Sequence, residues 1–311
     1  MLTIFTTAKA FAGHIGIIQR NALRSWTLLR PRCEIILVGD DEGGEALANE
    51  LGIIYQPTVQ KSPYGTPLVR DIFAKAELHA TNRLLCYANA DIIFMGDFIK
   101  AVGRVANWER PFLMAGRKWN FNVTKPLKFD RGWEEKFRTE VLTHGEKSLP
   151  YAIDFFVFPK GMWPAMPDFV VGKAGWDNWI IFEARRLRIP VIDANGSIMA
   201  VHQNHDYSHA PGSFGWKPFD WKNASPEDLT NTQLMWNEAK ALYTLGNATH
   251  VLTPEGIRKA WSYPYIKARF KSRWIRSVRI AKLVGESVAI KWFEKHARTK
   301  KIFQKLAVTF K

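Results

Sequence analysis

Leu84-Leu85-Cys86-Tyr87-Ala88-Asn89-Ala90-Asp91-Ile92-Ile93-Phe94 is an apolar strand that runs into Asn-x-Asp and then back into apolar residues. It is the fourth strand of a regular alternation. Upstream of it, residues 67–81 have amphipathic helical spacing, residues 52–55 form a short strand and residues 45–51 a helix. Glu34–Val38 is a continuous apolar strand closed by Gly39-Asp40-Asp41-Glu42-Gly43-Gly44. Before that, Ile15, Ile18, Ala22, Trp26 and Leu29 recur at helical spacing until Pro31 stops the helix. Leu2–Thr7 opens the chain as a β-rich run. This order predicts an α/β, doubly wound, mostly parallel sheet flanked by helices. Such sheets bind ligands at the carboxyl ends of their strands, near the switch in strand order. Three loops are singled out on that ground: residues 6–11, 39–44 and 89–91.

The second half is less regular. Residues 112–115, 153–158, 191–194 and 198–201 read as strands, and residues 176–188 and 228–245 as helices, with an aromatic polar loop at 216–223. We expect residues 1–110 and 111–250 to be two halves of one domain, and residues 251–311 a basic, amphipathic helical extension. Charge supports the last boundary. The chain has 311 residues, with Lys+Arg 44 against Asp+Glu 29 and a net charge of +15. Residues 258–311 hold 16 Lys+Arg and 2 Asp+Glu, or +14, so the rest of the chain carries 28 basic and 27 acidic groups, or +1. A uniformly basic nucleic-acid-binding domain does not look like this, and no nucleic-acid partner is expected. The tail interleaves aromatic and aliphatic residues with Lys and Arg at helical intervals. That pattern suits docking on an anionic membrane surface, or a helix packed on the body with a solvated basic face.

Two cysteines, Cys33 and Cys86, sit in apolar runs and offer no paired-ligand zinc spacing. No stretch reaches the roughly 18 apolar residues of a membrane span. The N-terminus lacks a basic leader before an apolar segment. A reducing, cytoplasmic setting is expected, with peripheral contact to the inner face of the membrane.

Asn89 and Asp91, two apart, fall on the same side of an extended chain, where both can reach one ion or a ribose–diphosphate. The same residues also suit an Asx turn that satisfies its own backbone. Arg70 and Lys75, on the preceding helix, either neutralise a diphosphate or form a solvated face; Arg117-Lys118 is equally ambiguous. Asp154 precedes an apolar strand and suits either hydroxyl orientation or a structural carboxylate. No Gly-x-Gly-x-x-Gly follows the first strand, and there is no P-loop and no Gly-x-Ser-x-Gly elbow.

Three further motifs follow in order: Asp-Phe-Phe-Val-Phe-Pro at 154–159, Gly-Trp-Asp-Asn-Trp at 175–179, and Ala-Val-His-Gln-Asn-His-Asp-Tyr-Ser-His at 200–209. Together with the Phe-Thr-Thr start and Asn-Ala-Asp-Ile, this order resembles GT-A-fold nucleotide-sugar glycosyltransferases, over roughly residues 1–215. It looks most like a bacterial group carrying an Asn-x-Asp variant of the family's Asp-x-Asp motif. The resemblance implies that Thr6, Thr7 and Asp40 hold the nucleotide. It places the metal-and-diphosphate motif on Asn89-Ala90-Asp91, where Asn89 supplies no charge. A later histidine would complete the metal shell, and His202 or His205 is similar to it; the other reading is loop histidines bonded to backbone. Mn²⁺ or Mg²⁺ is the implied ion. Asp177 matches the family's general base, and also suits a helix N-cap. Trp176 and Trp179 read as a sugar platform or as core.

The function implied is transfer of a sugar from a nucleoside-diphosphate sugar to a hydroxyl of a glycan or lipid-linked acceptor. Inversion follows if Asp177 is the base, and retention stays open otherwise. A sugar-phosphate nucleotidyltransferase and a non-catalytic membrane-surface protein are the alternatives.

Overall fold

The computed structural model describes residues 2–108, 110–206 and 222–284. His209, residues 216–221 of the aromatic loop and the tail from 285 to 311 lie outside the described residues.

Six strands and four helices make up the first half of the sheet. They are β1 (Leu2–Thr7), α1 (Gly13–Thr27), β2 (Glu34–Val38), α2 (Gly44–Leu51), β3 (Ile54–Gln56), α3 (Val69–His79), β4 (Leu84–Ala88), β5 (Ile92–Ile93), α4 (Gly96–Val105) and β6 (Leu113–Phe121). The second half adds α5 (Trp133–His144), β7 (Glu146–Lys147), β8 (Ile153–Pro159), α6 (Trp176–Arg186), β9 (Val191–Asp193) and β10 (Ala200–Gln203). After these come α7 (Pro226–Ala239), a 3₁₀ turn (Leu245–Asn247), β11 (His250–Thr253), β12 (Gly256–Lys259) and α8 (Tyr263–Val284).

The main sheet has the order β12-β11-β9-β6-β8-β4-β1-β2-β3. Only β8 and β12 run against the others along this path, so the expected mostly parallel α/β sheet is present. Its central strands are buried on both faces, which is why β1 and β4 read as unbroken apolar runs. Alternate side chains of those strands feed two cores. Ile4, Cys86 and Val157 face one, with Trp26 of α1 and Phe98 of α4. Phe5, Tyr87 and Phe158 face the other, with Phe73 of α3 and Trp179 of α6. Cys33 and Cys86 are both free and buried.

β6 is longer than its apolar start suggests. A bulge between Ala115 and Arg117 lets it turn out of the main sheet, and residues 118–121 then pair in parallel with β10. Gly116 sits at that bend because a Cβ there would lie 3.0 Å from the Phe155 ring. β10 also pairs with β5, directly after Asp91. This small second layer carries the histidine run to the end of β4.

Helix α7 starts and ends earlier than residues 228–245. Ser225 caps it with a reciprocal Asp228 capping box and Pro226 occupies the first turn, while Lys240, left-handed at φ 56°, terminates it. The hairpin β11–β12 extends the sheet edge, so residues 251–259 are strand and turn rather than the start of a helical tail. Along α8, Ser272 is buried and bonds Asn247 at 2.9 Å, and the Tyr265 hydroxyl donates to Asp193 at 2.7 Å. The described part of the basic extension is therefore a helix packed on the body. No helix among the described residues is long and apolar enough to cross a membrane.

Candidate active site

β4 ends at Ala88, and the chain then turns rather than continuing. The Asn89 N–H donates to the Asp154 carbonyl at 3.0 Å, and Ile92 N–H closes a turn onto the Asn89 carbonyl at 3.1 Å. The turn is closed by backbone groups rather than by an Asx bond, since the Asn89 side-chain oxygen accepts from the Tyr87 hydroxyl, and the Asp91 carboxylate beside it is largely buried. Gln203, fully buried, holds the turn from the other side. Its side-chain amide donates to the Asp91 carbonyl at 3.0 Å and to the Ile18 carbonyl at 2.7 Å, and its oxygen accepts from Asn21 at 3.0 Å. Trp26 Nε1 fixes the next residue by donating to the Ile92 carbonyl at 2.8 Å.

Asp91 faces two histidines. His202 Nε2 lies 3.4 Å and His205 Nε2 3.1 Å from its Oδ2. One ligand atom from each of the three falls within 4.8 Å of the others. The Asp91 Oδ1 is buried and has no hydrogen-bond partner among the described residues. Burial works to raise the Asp91 carboxyl's pKa; the charge and hydrogen bond of His202, the hydrogen bond of His205 and the charge of Lys118 outweigh it and hold the carboxyl well below its ordinary range.

The tautomer of His205 follows from its neighbours. Its Nδ1 lies 2.5 Å from the Asp206 carbonyl, which can only accept, so Nδ1 carries a proton. In the neutral ring, Nε2 then points a lone pair at a carboxylate oxygen. Two lone pairs at that distance repel, so the arrangement needs a proton or a cation between them. The His205 pKa is raised accordingly: burial lowers it, but the Asp91 hydrogen bond and charge prevail.

Around this cluster lie two more carboxylates. Asp154, at the start of β8, is ion-paired with Lys118 at 2.6 Å. Asp177 stands in the first turn of α6, where Gly175 rather than Asp177 is the N-cap. Burial pushes the Asp177 carboxyl up to about 7; the Asp154 charge adds to the rise and nearby backbone N–H groups oppose it. Tyr87 connects the three acids. It is held neutral first by burial and then by the charges of Asp91, Asp154 and Asp177, and its hydroxyl donates to Asn89 Oδ1 at 3.0 Å.

The remaining sequence candidates divide. Thr6 is fully buried and its hydroxyl donates to the Thr7 carbonyl, so it belongs to the strand interior. Thr7 Oγ1 is buried without a hydrogen-bond partner among the described residues. Asp40 is exposed at the end of β2 and paired with Lys61 at 2.5 Å, whose hydrogen bond lowers its pKa. Arg70 is engaged with Asp168, not with Asn89 or Asp91. Trp176 and Trp179 are core: Trp176 stands edge-on to Tyr87 at 5.1 Å, and Trp179 packs at 5.6 Å on Phe169. Arg117 donates to the Ser148 carbonyl, leaving Lys118 as the member of that pair inside the site.

One cation was overlooked by the sequence argument. Lys9 follows β1, and Gln19 pins its backbone through both its N–H (2.7 Å) and its carbonyl (2.8 Å). Burial lowers its pKa, against the charges of Asp91, Asp206 and Asp41 and with that of Lys173. It therefore lies within the electrostatic field of Asp91, on the loop that follows β1. Its position within the first strand-end loop was the available signal.

No protein-family model matches the chain, and no curated protein matches it. Solved structures similar to it include glucosyl-3-phosphoglycerate synthase from Mycobacterium tuberculosis in complex with Mn²⁺, UDP and phosphoglyceric acid, at 13% identity over 76% of this chain and 78% of that one, with a TM-score of 0.44. Another is the mannosyltransferase PcManGT from Pyrobaculum calidifontis in complex with GDP-Man and Mn²⁺, at 11% identity over 67% of this chain and 58% of that one, TM-score 0.40. A third is residues 1–349 of S. aureus TarS in complex with UDP, at 10% identity over 41% and 38% of the two chains, TM-score 0.31. These are partial likenesses of fold.

Proposed function

We propose that the chain is a glycosyltransferase that moves a sugar from a nucleoside-diphosphate sugar to a hydroxyl of a glycan or lipid-linked acceptor. The observation that carries this reading is Asp91 facing His202 and His205 at the carboxyl ends of the parallel strands, with Tyr87 lying in the field of both Asp91 and Asp177. The three residues fit a divalent cation. Asp91 Oδ1 is a buried oxygen without a hydrogen-bond partner among the described residues, and His205 presents its lone-pair nitrogen with the other ring nitrogen tied to a carbonyl, as metal-bound histidines do. One carboxylate and two imidazoles suit Mn²⁺ better than Mg²⁺, which prefers oxygen. A bound cation supplies charge stabilisation for the departing diphosphate.

The chain's own residues would do the rest. Asn89, its oxygen taken by Tyr87, offers its amide N–H to the donor's ribose or diphosphate. Lys9 offers a positive charge from the loop that follows β1. Thr7 and the Gly39–Asp41 backbone line the nucleotide's approach at the ends of β1 and β2. With a pKa of about 7, Asp177 is partly ionised at neutral pH and can still hold a proton, which suits a general base on the acceptor hydroxyl. Inversion at the anomeric carbon is the outcome that role implies.

Contact with an anionic membrane, in a cytoplasmic setting, is part of the same proposal. Trp261 and Tyr263 are 67% and 55% exposed beside Lys259 and Lys267, which lie over their rings. An aromatic and basic patch of this kind suits an interfacial surface.

Calorimetric titration of UDP, GDP and CMP, with and without Mn²⁺, tests the donor site. One nucleotide should bind tightly with Mn²⁺ and lose that binding in Asp91→Ala. Failure of all three to bind would overturn the reading.

A further inference from the structure

We propose that the cleft between α6 and α8 is a second binding site, specific for a phosphate-bearing anion and separate from the strand-end cluster. Five arginines line it: Arg185 and Arg186 from the last turn of α6, and Arg269, Arg273 and Arg276 from α8. The cavity they surround measures about 120 Å³. That is well above the roughly 10–15 Å³ that one water requires, so a multi-atom ligand fits.

The charges in this cleft are fixed but not neutralised. Among the described residues, Arg186 alone has a carboxylate, bonding Glu183 at 2.5 and 2.6 Å. Arg269 donates to the carbonyls of Ala248 (2.6 Å) and Ala260 (2.9 Å). Arg276 donates to those of Glu238 and Ala239 and lies 4.7 Å over the Phe182 ring. Carbonyls orient a guanidinium without cancelling its charge. Among the described residues, Arg185 and Arg273 make no ion pair.

Repulsion is evident within the group. Burial lowers the Arg185 pKa first, and the charges of Arg273 and Arg269 lower it further. The Tyr243 hydroxyl feels Arg276, Arg273 and Arg185 together, which puts all three around one point beside the cavity.

Fold stability does not account for this arrangement. Arg269, Arg273 and Arg276 are spaced by four and three, so they share one face of α8, where like charges destabilise a helix. The helix dipole explains basic residues at the end of α6 but not three more near the start and middle of α8. An anion between the helices would convert the repulsion into attraction. Guanidinium forks match phosphate oxygens in pairs, which makes a phosphate group the fitting anion rather than an isolated carboxylate. The cleft is at the other end of α6 from Asp177: Arg185 lies eight helical residues away, about 12 Å along the axis.

A phosphate can come from a soluble phosphorylated compound or from a lipid headgroup, and the experiment separates the two. The full-length protein is titrated with inorganic pyrophosphate in the presence of EDTA, and is sedimented with phosphatidylcholine vesicles with and without phosphatidylglycerol. The variants are Arg273→Gln, whose exposed side chain makes no hydrogen bond or ion pair among the described residues, and Lys271→Gln, an exposed basic control outside the cleft on the same helix. Pyrophosphate binding that weakens at least tenfold in Arg273→Gln, is unchanged in Lys271→Gln and persists in Asp91→Ala identifies a soluble phosphate site. Binding only to phosphatidylglycerol vesicles, with the same dependence on the variants, identifies a headgroup site. Binding of neither, or equal loss in Arg273→Gln and Lys271→Gln, overturns the proposal. Failure of the strand-end reading would show instead as absent nucleotide binding, which leaves these outcomes intact.

Discussion

Asp177 offers a quantitative test, because the property that suits it to catalysis should cost the fold stability. Its carboxyl moves from the ordinary 3.8 to about 7 on folding, chiefly through burial. Between those two values the folded chain holds a proton that the unfolded chain has lost. Stability from this group is therefore complete below about pH 4 and falls as pH rises to about 7. At about 1.4 kcal/mol per pKa unit the ceiling is about 4 kcal/mol, and a side chain partly reached by solvent should realise about half of it. Asp177→Asn keeps the shape and removes the ionisation. At pH 8 the variant should be about 2 kcal/mol more stable than the parent, which at this chain length raises Tm by about 3 °C. At pH 4 the two should melt together. Its sugar transfer should fall by about 10²–10⁴, the usual worth of a general base. Thermal melts from pH 4 to 8.5 read the first effect without any substrate. Equal Tm values at pH 8, or a lower Tm for the variant, would refute the argument that burial holds this carboxyl protonated.

Three other substitutions probe the surrounding frame. Lys9→Ala removes the side-chain cation and leaves its backbone clamp by Gln19 in place, so nucleotide affinity should drop about 10- to 100-fold by calorimetry while Tm stays constant. Gly175→Ala places a side chain at φ 108° and 3.3 Å from Met235 Cβ, just before α6. The urea midpoint should fall by the equivalent of about 1–3 kcal/mol, and transfer activity should fall with it as Asp177 shifts. Gln203→Ala strips the Ile18 and Asp91 carbonyls and Asn21 of a buried partner, an expected loss of about 2–4 kcal/mol by urea denaturation; a variant as stable as the parent would show that the latch is dispensable.

The first half of the fold was legible because its strands are buried on both faces and its helices on one. β1, β2 and β4 are unbroken apolar runs, and α1 carries one apolar stripe, so each element announces itself locally. The second half depends on long-range contacts. β6 changes sheets at a bulge dictated by Phe155, and β5 has two residues that pair with β10 more than a hundred positions away. No local spacing encodes such partners. α4 and α5 were passed over although both are regular helices, and the β11–β12 hairpin was absorbed into the basic composition around it. In the site, the residues carrying acid or imidazole were visible as motifs. Gln203 and Lys9 were not, because a buried amide latch and a cation placed by a backbone clamp leave no motif behind.

An asparagine at position 89, rather than an aspartate, is the residue this charge distribution favours. Tyr87 already lies within the field of three carboxylates, Asp91, Asp154 and Asp177. Lys118 balances Asp154, while the histidines face Asp91 and Lys9 lies in its field. Among the described residues Asp177 has no ion pair, and the nearby charge of Asp154 already raises its pKa. An aspartate at 89 would add a fourth negative charge beside that group and push its pKa further above neutrality, where it would no longer accept a proton readily. Asn89 preserves what the position needs geometrically: an oxygen to receive the Tyr87 hydroxyl and a backbone N–H for the Asp154 carbonyl. It also leaves an N–H donor for an anionic ligand, which a carboxylate could not provide. The histidines then offer two nitrogen ligand atoms for a cation beside Asp91 without adding another carboxylate to this field.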